Sequence, residues 1–171
     1  MRAHIFAATV FSLGAAFAFG TPAMSADLPQ SGTVKSHGTF KGTAQAVPVG
    51  EKHVMGAGTN AGITYNDAGS GPLHLGTSVC TFAFHNINGA STDVGDCALG
   101  DPGGADKIFG AYSGTWTDNV GGQGGGPITG GIGKYAGIEG KWTWQCKDVD
   151  PSQSLIACTQ QIDYHLKSAT N

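Results

Sequence analysis

Lys141-Trp142-Thr143-Trp144-Gln145-Cys146-Lys147 and Leu155-Ile156-Ala157-Cys158-Thr159-Gln160-Gln161-Ile162-Asp163-Tyr164-His165-Leu166-Lys167 decide the fold class. Both stretches alternate. Trp142, Trp144 and Cys146 share one face of the first. Ile156, Cys158, Ile162, Tyr164 and Leu166 share one face of the second. A period of two is the mark of a half-buried strand. With Cys146 set opposite Cys158, Trp144 meets Gln160 and Trp142 meets Ile162, so one register satisfies both the cysteines and the apolar face. The spacing predicts an antiparallel hairpin with its loop around Asp148-Val149-Asp150-Pro151. The opposite face, Glu139, Lys141, Thr143, Gln145 and Lys147, is polar, as a solvated face should be.

Working back toward the N-terminus, Thr33–Val49 reads as one or two strands, and Lys52–Tyr65 and Leu73–His85 as one each. Asn86–Asp106 reads as a long loop rich in Asp and Gly. Lys107–Thr117 resumes the strand pattern, and a glycine connector, Gly121–Gly126, leads into Pro127-Ile128-Thr129. No segment keeps a 3.6-residue apolar period. Seven or eight short strands at this spacing make an all-β chain, a sandwich or a barrel. The glycine content, 29 residues, points the same way. Glycine costs about 1 kcal/mol at a helix interior, and it suits turns and closely approaching strands.

Residues 1–26 are expected to be a cleaved secretory signal. Arg2 and His4 precede an uncharged apolar run, Ile5–Phe19, and a small-residue stretch ends at Ala26. Cleavage after Ala23 or Ser25 stays open. The apolar run is shorter than the ~20 residues of a membrane-spanning helix. Residues 27–171 then form a single domain, expected in the periplasm or secreted, with no membrane span left after cleavage. That part of the chain holds eight lysines, no arginine and twelve carboxylates, a net charge of −4. Without the arginine fork, nucleic acid is not an expected partner.

Four cysteines remain: Cys80, Cys97, Cys146 and Cys158. An even count in an exported chain predicts disulfides. Three pairings are open. Cys80–Cys97 with Cys146–Cys158 is preferred because each closes a short loop. No Cys-x-x-Cys pair occurs, so no metal is expected.

Sequence chemistry is sparse. Gly56-Ala57-Gly58-Thr59-Asn60-Ala61 and Gly131-Ile132-Gly133-Lys134-Tyr135-Ala136 fit a loose dinucleotide pattern, but no helix follows either. No cofactor is expected. No Gly-x-Ser-x-Gly elbow occurs. His37 and His165 alternate with polar residues and read as solvent-facing. Two acid–base candidates are Glu139, which could instead form a surface ion pair with Lys141, and His85, at the end of Cys80–His85. The aromatic residues Phe82, Phe84, Tyr112, Trp116, Trp142, Trp144 and Tyr164 are the candidate lining of a ligand pocket, since a barrel of about eight strands holds one small ligand.

Ile128-Thr129-Gly130-Gly131-Ile132-Gly133-Lys134-Tyr135-Ala136-Gly137-Ile138-Glu139-Gly140 is the most distinctive segment. It resembles the Gly-Gly-Thr-Gly-aromatic-x-Gly-Ala-x-Gly hairpin of the allene oxide cyclase and dirigent families, and of small exported bacterial proteins that share it. Ile132 stands where those families carry Thr, and their cysteine pattern differs. The resemblance implies a single calycin-like antiparallel barrel of about eight strands with an apolar cavity, often a homotrimer. It implies no activity. Three functions compete at this stage: a binding module for a small apolar or aromatic molecule, a cavity-based isomerase or cyclase using Glu139 or His85, and a structural secreted protein without ligand.

Overall fold

The computed structural model describes residues 28–167. The expected signal, residues 1–26, lies outside them. Eight strands follow one another: β1 (Ser31–Gly50), β2 (His53–Asn66), β3 (Gly76–Ile87), β4 (Ala90–Gly100), β5 (Lys107–Thr117), β6 (Gly121–Ile132), β7 (Ile138–Asp150) and β8 (Leu155–Leu166). Each pairs antiparallel with the next, and β8 pairs with β1, so the sheet closes into an up-and-down barrel. Closure leaves no exposed sheet edge where the ring is complete. The β7–β8 register is the expected one: Cys146 opposite Cys158, Trp144 opposite Gln160, Trp142 opposite Ile162. The disulfides are Cys80–Cys97 and Cys146–Cys158, and each joins directly opposed residues of neighbouring strands. Bridges of this kind belong to chains that fold in an oxidising compartment.

Two segments differ from the sequence expectation. Within the expected loop Asn86–Asp106 lies a full strand, β4, and the expected connector Gly121–Gly126 is the first half of β6. The cause is the same in both. Their inward residues are small or polar: Ser91, Asp93 and Gly95 on β4; Gly122, Gly124 and Gly126 on β6. The large side chains that cover them sit on neighbouring strands. Almost every inward ring of the barrel has a glycine directly across the ladder. Phe84 faces Gly56, Phe82 faces Gly58, Phe40 faces Gly62, Tyr112 faces Gly95, Trp116 faces Gly122 and Trp144 faces Gly124. Rings lie flat over these gaps, a known way to cover strand glycines.

The fit leaves no room for a methyl. At Gly124 a Cβ would lie 2.4 Å from the Ser113 carbonyl oxygen and 2.6 Å from Trp144 Cζ2. Gly124→Ala is expected to cost about 1–3 kcal/mol by overpacking, read as a lower urea midpoint at unchanged slope. A variant as stable as the parent would show that the ring over Gly124 is not fixed.

The barrel interior divides into a filled floor and an open upper half. Val34, Leu99, Ile108, Ile128, Ile138 and Ile162 pack the floor. Three connections close it from below. Leu73, from the β2–β3 connection, and Tyr135, from the β6–β7 connection, are each only 1% exposed. Asp101, at the start of the β4–β5 connection, ties them together. It accepts the Leu73 N–H at 2.6 Å and the Tyr135 hydroxyl at 3.1 Å, and it pairs with the Lys134 ammonium. Burial, reinforced by the Asp101 carboxylate, pushes the Tyr135 hydroxyl pKa up, so it stays a donor.

The Gly130–Gly140 segment builds this floor. Gly133 adopts φ of +65°, a left-handed conformation that glycine enters freely. A Cβ there would also strike the Asp106 carboxylate, which accepts the Lys134 N–H at 2.9 Å. The turn thereby delivers Tyr135 into the core and Lys134 to Asp101.

Candidate functional site

The upper half of the barrel holds a cavity of about 440 Å³ that opens at the end opposite the floor. The hairpin turns β1–β2, β3–β4, β5–β6 and β7–β8 surround the opening. Its walls are aromatic. Tyr112 stands edge-on to Trp142 and Trp144, with ring centroids 5.8 and 5.7 Å apart, and Trp116 is tilted against Trp144 at 6.5 Å. Phe82 and Phe84 lean together at 6.1 Å on the other wall. Edge-to-face pairs at these distances are the favoured aromatic geometry. Phe40 and both disulfides complete the apolar part. The room for these rings, and for the space between them, comes from the inward glycines of β2, β4 and β6.

The polar lining is placed at two levels. Deep in the cavity, Gln160 accepts the Trp142 indole N–H at 3.1 Å, which fixes that ring. Nearer the mouth stand Asn60, Asn86, Ser91 and three carboxylates, Asp93, Asp118 and Asp148. Asn86 donates to Ser91 at 2.9 Å and to Asp118 at 2.8 Å, holding the rim of the β3–β4 and β5–β6 turns. Among the described residues lining the cavity there is no lysine, arginine or histidine.

Asp93 is the unusual group. It points inward from β4, between Phe84 of β3 and Gly114 of β5. Its Oδ1 is closed off from solvent and has no hydrogen-bond partner among the described residues; the same holds for Trp144 Nε1. Burial raises the Asp93 pKa, with the Tyr112 hydroxyl pulling the other way. The Tyr112 hydroxyl is itself held protonated, by burial first and then by the Asp93 charge.

Six of the seven expected pocket residues meet in this cavity: Phe82, Phe84, Tyr112, Trp116, Trp142 and Trp144. Tyr164 does not. It shares their face but lies at the floor end of β8, with its ring over Gly32, so it packs below the cavity. The two acid–base candidates are outside the barrel. His85 is exposed, out of phase with the inward Phe82 and Phe84. Glu139 is half-exposed and pairs with Lys167, and with His165 at 3.4 Å; Lys141 instead approaches Asp163 at 3.9 Å. The Lys167 ammonium holds the Glu139 carboxyl below its ordinary pKa, the opposite of what a general acid needs. Sequence reasoning missed Asp93, Asp118 and Asp148. A signal for Asp93 existed: it lies four residues before Cys97, hence on the same strand face as an inward cysteine.

The sequence matches no protein-family model and no curated protein. Residues 128–140, the distinctive glycine-rich segment of the sequence, serve the floor, away from the cavity mouth.

Proposed function

We propose that this protein is an exported β-barrel that binds one small apolar or aromatic molecule in the open half of its barrel. The observation that carries the reading is the aromatic cavity itself. Its volume, about 440 Å³, falls within the range of small-molecule sites. A barrel with a purely structural role has no need of glycines opposite its rings to keep space open, since bulkier side chains would bury more apolar surface. The cyclase alternative is weakened because Glu139 and His85 both face solvent. Export to the periplasm or beyond is supported by the two disulfides and by the character of residues 1–26.

Titration with N-phenyl-1-naphthylamine, a neutral hydrophobic dye, tests the reading. The parent is expected to take up dye saturably at one per chain, with a change in tryptophan emission. Ser91→Trp, which adds a ring at the mouth, is expected to weaken uptake by tenfold or more, roughly the loss of one good contact. Absence of saturable uptake by the parent, or equal uptake by the variant, would overturn it. The intact mass of the exported product is expected to start at Asp27 with all four cysteines oxidised; an uncleaved or reduced product would contradict export.

A further inference from the structure

We infer that the ligand is an organic cation: a protonated amine on an aromatic or alkyl body, with its charge held against Asp93 and the tryptophan wall. The inference rests on the binding reading above and names the ligand's chemical class.

Three features of the cavity converge on it. The first is sign. Asp93, Asp118 and Asp148 line the space and, among the described residues, no basic side chain does. A concave site lined by one sign of charge, with low-dielectric walls, concentrates ligands of the opposite sign. A fatty acid, a phosphate ester or an aromatic acid would meet only like charge there, which disfavours it without any steric clash.

The second is the ring set. Trp116, Trp144 and Tyr112 lie side by side, with centroids 6.5 and then 5.7 Å apart along the wall. Tryptophan and tyrosine faces attract cations, most strongly where water is excluded. A purely apolar ligand would be served as well by leucine and valine, yet the cavity wall is built from rings and carboxylates.

The third is Asp93. One of its oxygens, Oδ1, is closed off over Gly114 without a hydrogen-bond partner among the described residues; the Tyr112 hydroxyl beside the carboxylate brings no charge, and among those residues no lysine, arginine or histidine pairs with it. A carboxylate half-removed from water and left without a counter-charge costs free energy. Asp93 lines the cavity, and an ammonium bound there supplies the missing counter-charge through a charge-assisted hydrogen bond to the carboxylate.

Calorimetric titration with three probes of one shape decides the matter: 1-naphthylmethylamine, 1-naphthalenemethanol and 1-naphthoate, each against the oxidised mature protein at neutral pH. The amine is expected to bind about tenfold or more tighter than the alcohol, and naphthoate more weakly than either. In Asp93→Asn the amine's advantage is expected to fall to within about twofold, while the alcohol's affinity changes by less than about threefold. Its melting temperature, expected to match or exceed the parent's, shows that the variant is folded. The parent series stands alone whatever that variant does. If the alcohol or naphthoate equals the amine in the parent, the cation assignment is wrong while the binding reading survives. If none of the three probes nor the neutral dye binds, the binding reading falls with it. An undiminished amine preference in a folded Asp93→Asn would remove Asp93 from the assignment.

Discussion

Reduction of both disulfides is expected to destabilise the barrel by about 6 kcal/mol, near the limit of what a domain of this size can lose and stay folded. The bridges span sequence separations of 17 and 12 residues. Loops of that length each restrict the unfolded chain by about 3 kcal/mol in the chain-entropy picture. The two bridges act on different hairpins, β3–β4 and β7–β8, so their contributions should add to a first approximation. Paired Cys→Ala replacements should therefore each cost about half the total. Urea melts of the oxidised, singly bridged and reduced proteins measure this. Because all four cysteines line the cavity, dye uptake should fall in step with the folded fraction. A reduced protein within about 1 kcal/mol of the oxidised one, roughly the effect of one ordinary point mutation, would mean the closed sheet needs no covalent help.

Asp101→Ala is the second large effect, expected to cost about 3–5 kcal/mol. The substitution orphans three groups at once: the Leu73 N–H, the Tyr135 hydroxyl and the partly buried Lys134 ammonium. Removing one member of a buried charged network leaves the others desolvated and unpaired, which is worse than losing the bond alone. Asp101→Asn keeps an acceptor for Leu73 and should cost less. Tyr135→Phe removes one bond to a charged acceptor and should cost about 1.5–3 kcal/mol. Denaturant midpoints for the three variants should rank Ala, then the two milder changes. A cost below about 1 kcal/mol for Asp101→Ala would show that the floor connections are held by packing and not by this carboxylate.

The legible part of the fold was the part where one strand carries its own burial signal. On β7 and β8, Trp142, Trp144, Ile162 and the cysteines alternate in the strands they stabilise, so register and pairing could be read directly. β4 and β6 have no such signal. Gly122 and Gly124 are inward because Trp116 and Trp144 lie across from them, and that dependence is invisible until the strands are adjacent. The site shows the same division. The rings were legible as a set because aromatic side chains on a barrel face go inward. Tyr164 was misplaced because face alternation gives in or out, never the height along the barrel axis. Asp93 was missed with its strand: once Asn86–Asp106 is read as loop, an aspartate there looks solvated. His85 is a candidate by its place at the end of the Cys80–His85 run and Glu139 by its place on a strand face beside Lys141, and the strand phase sends both outward.

The central claim is that the space between the aromatic walls is a binding site. A crystal structure of the oxidised mature protein grown with 1-naphthalenemethanol tests it most directly. The account predicts one probe molecule per chain inside the barrel, its ring beside Tyr112, Trp116 and Trp144 and above Gln160. A probe found only on the outer face of the sheet, or an upper barrel filled by the protein's own side chains, would contradict it.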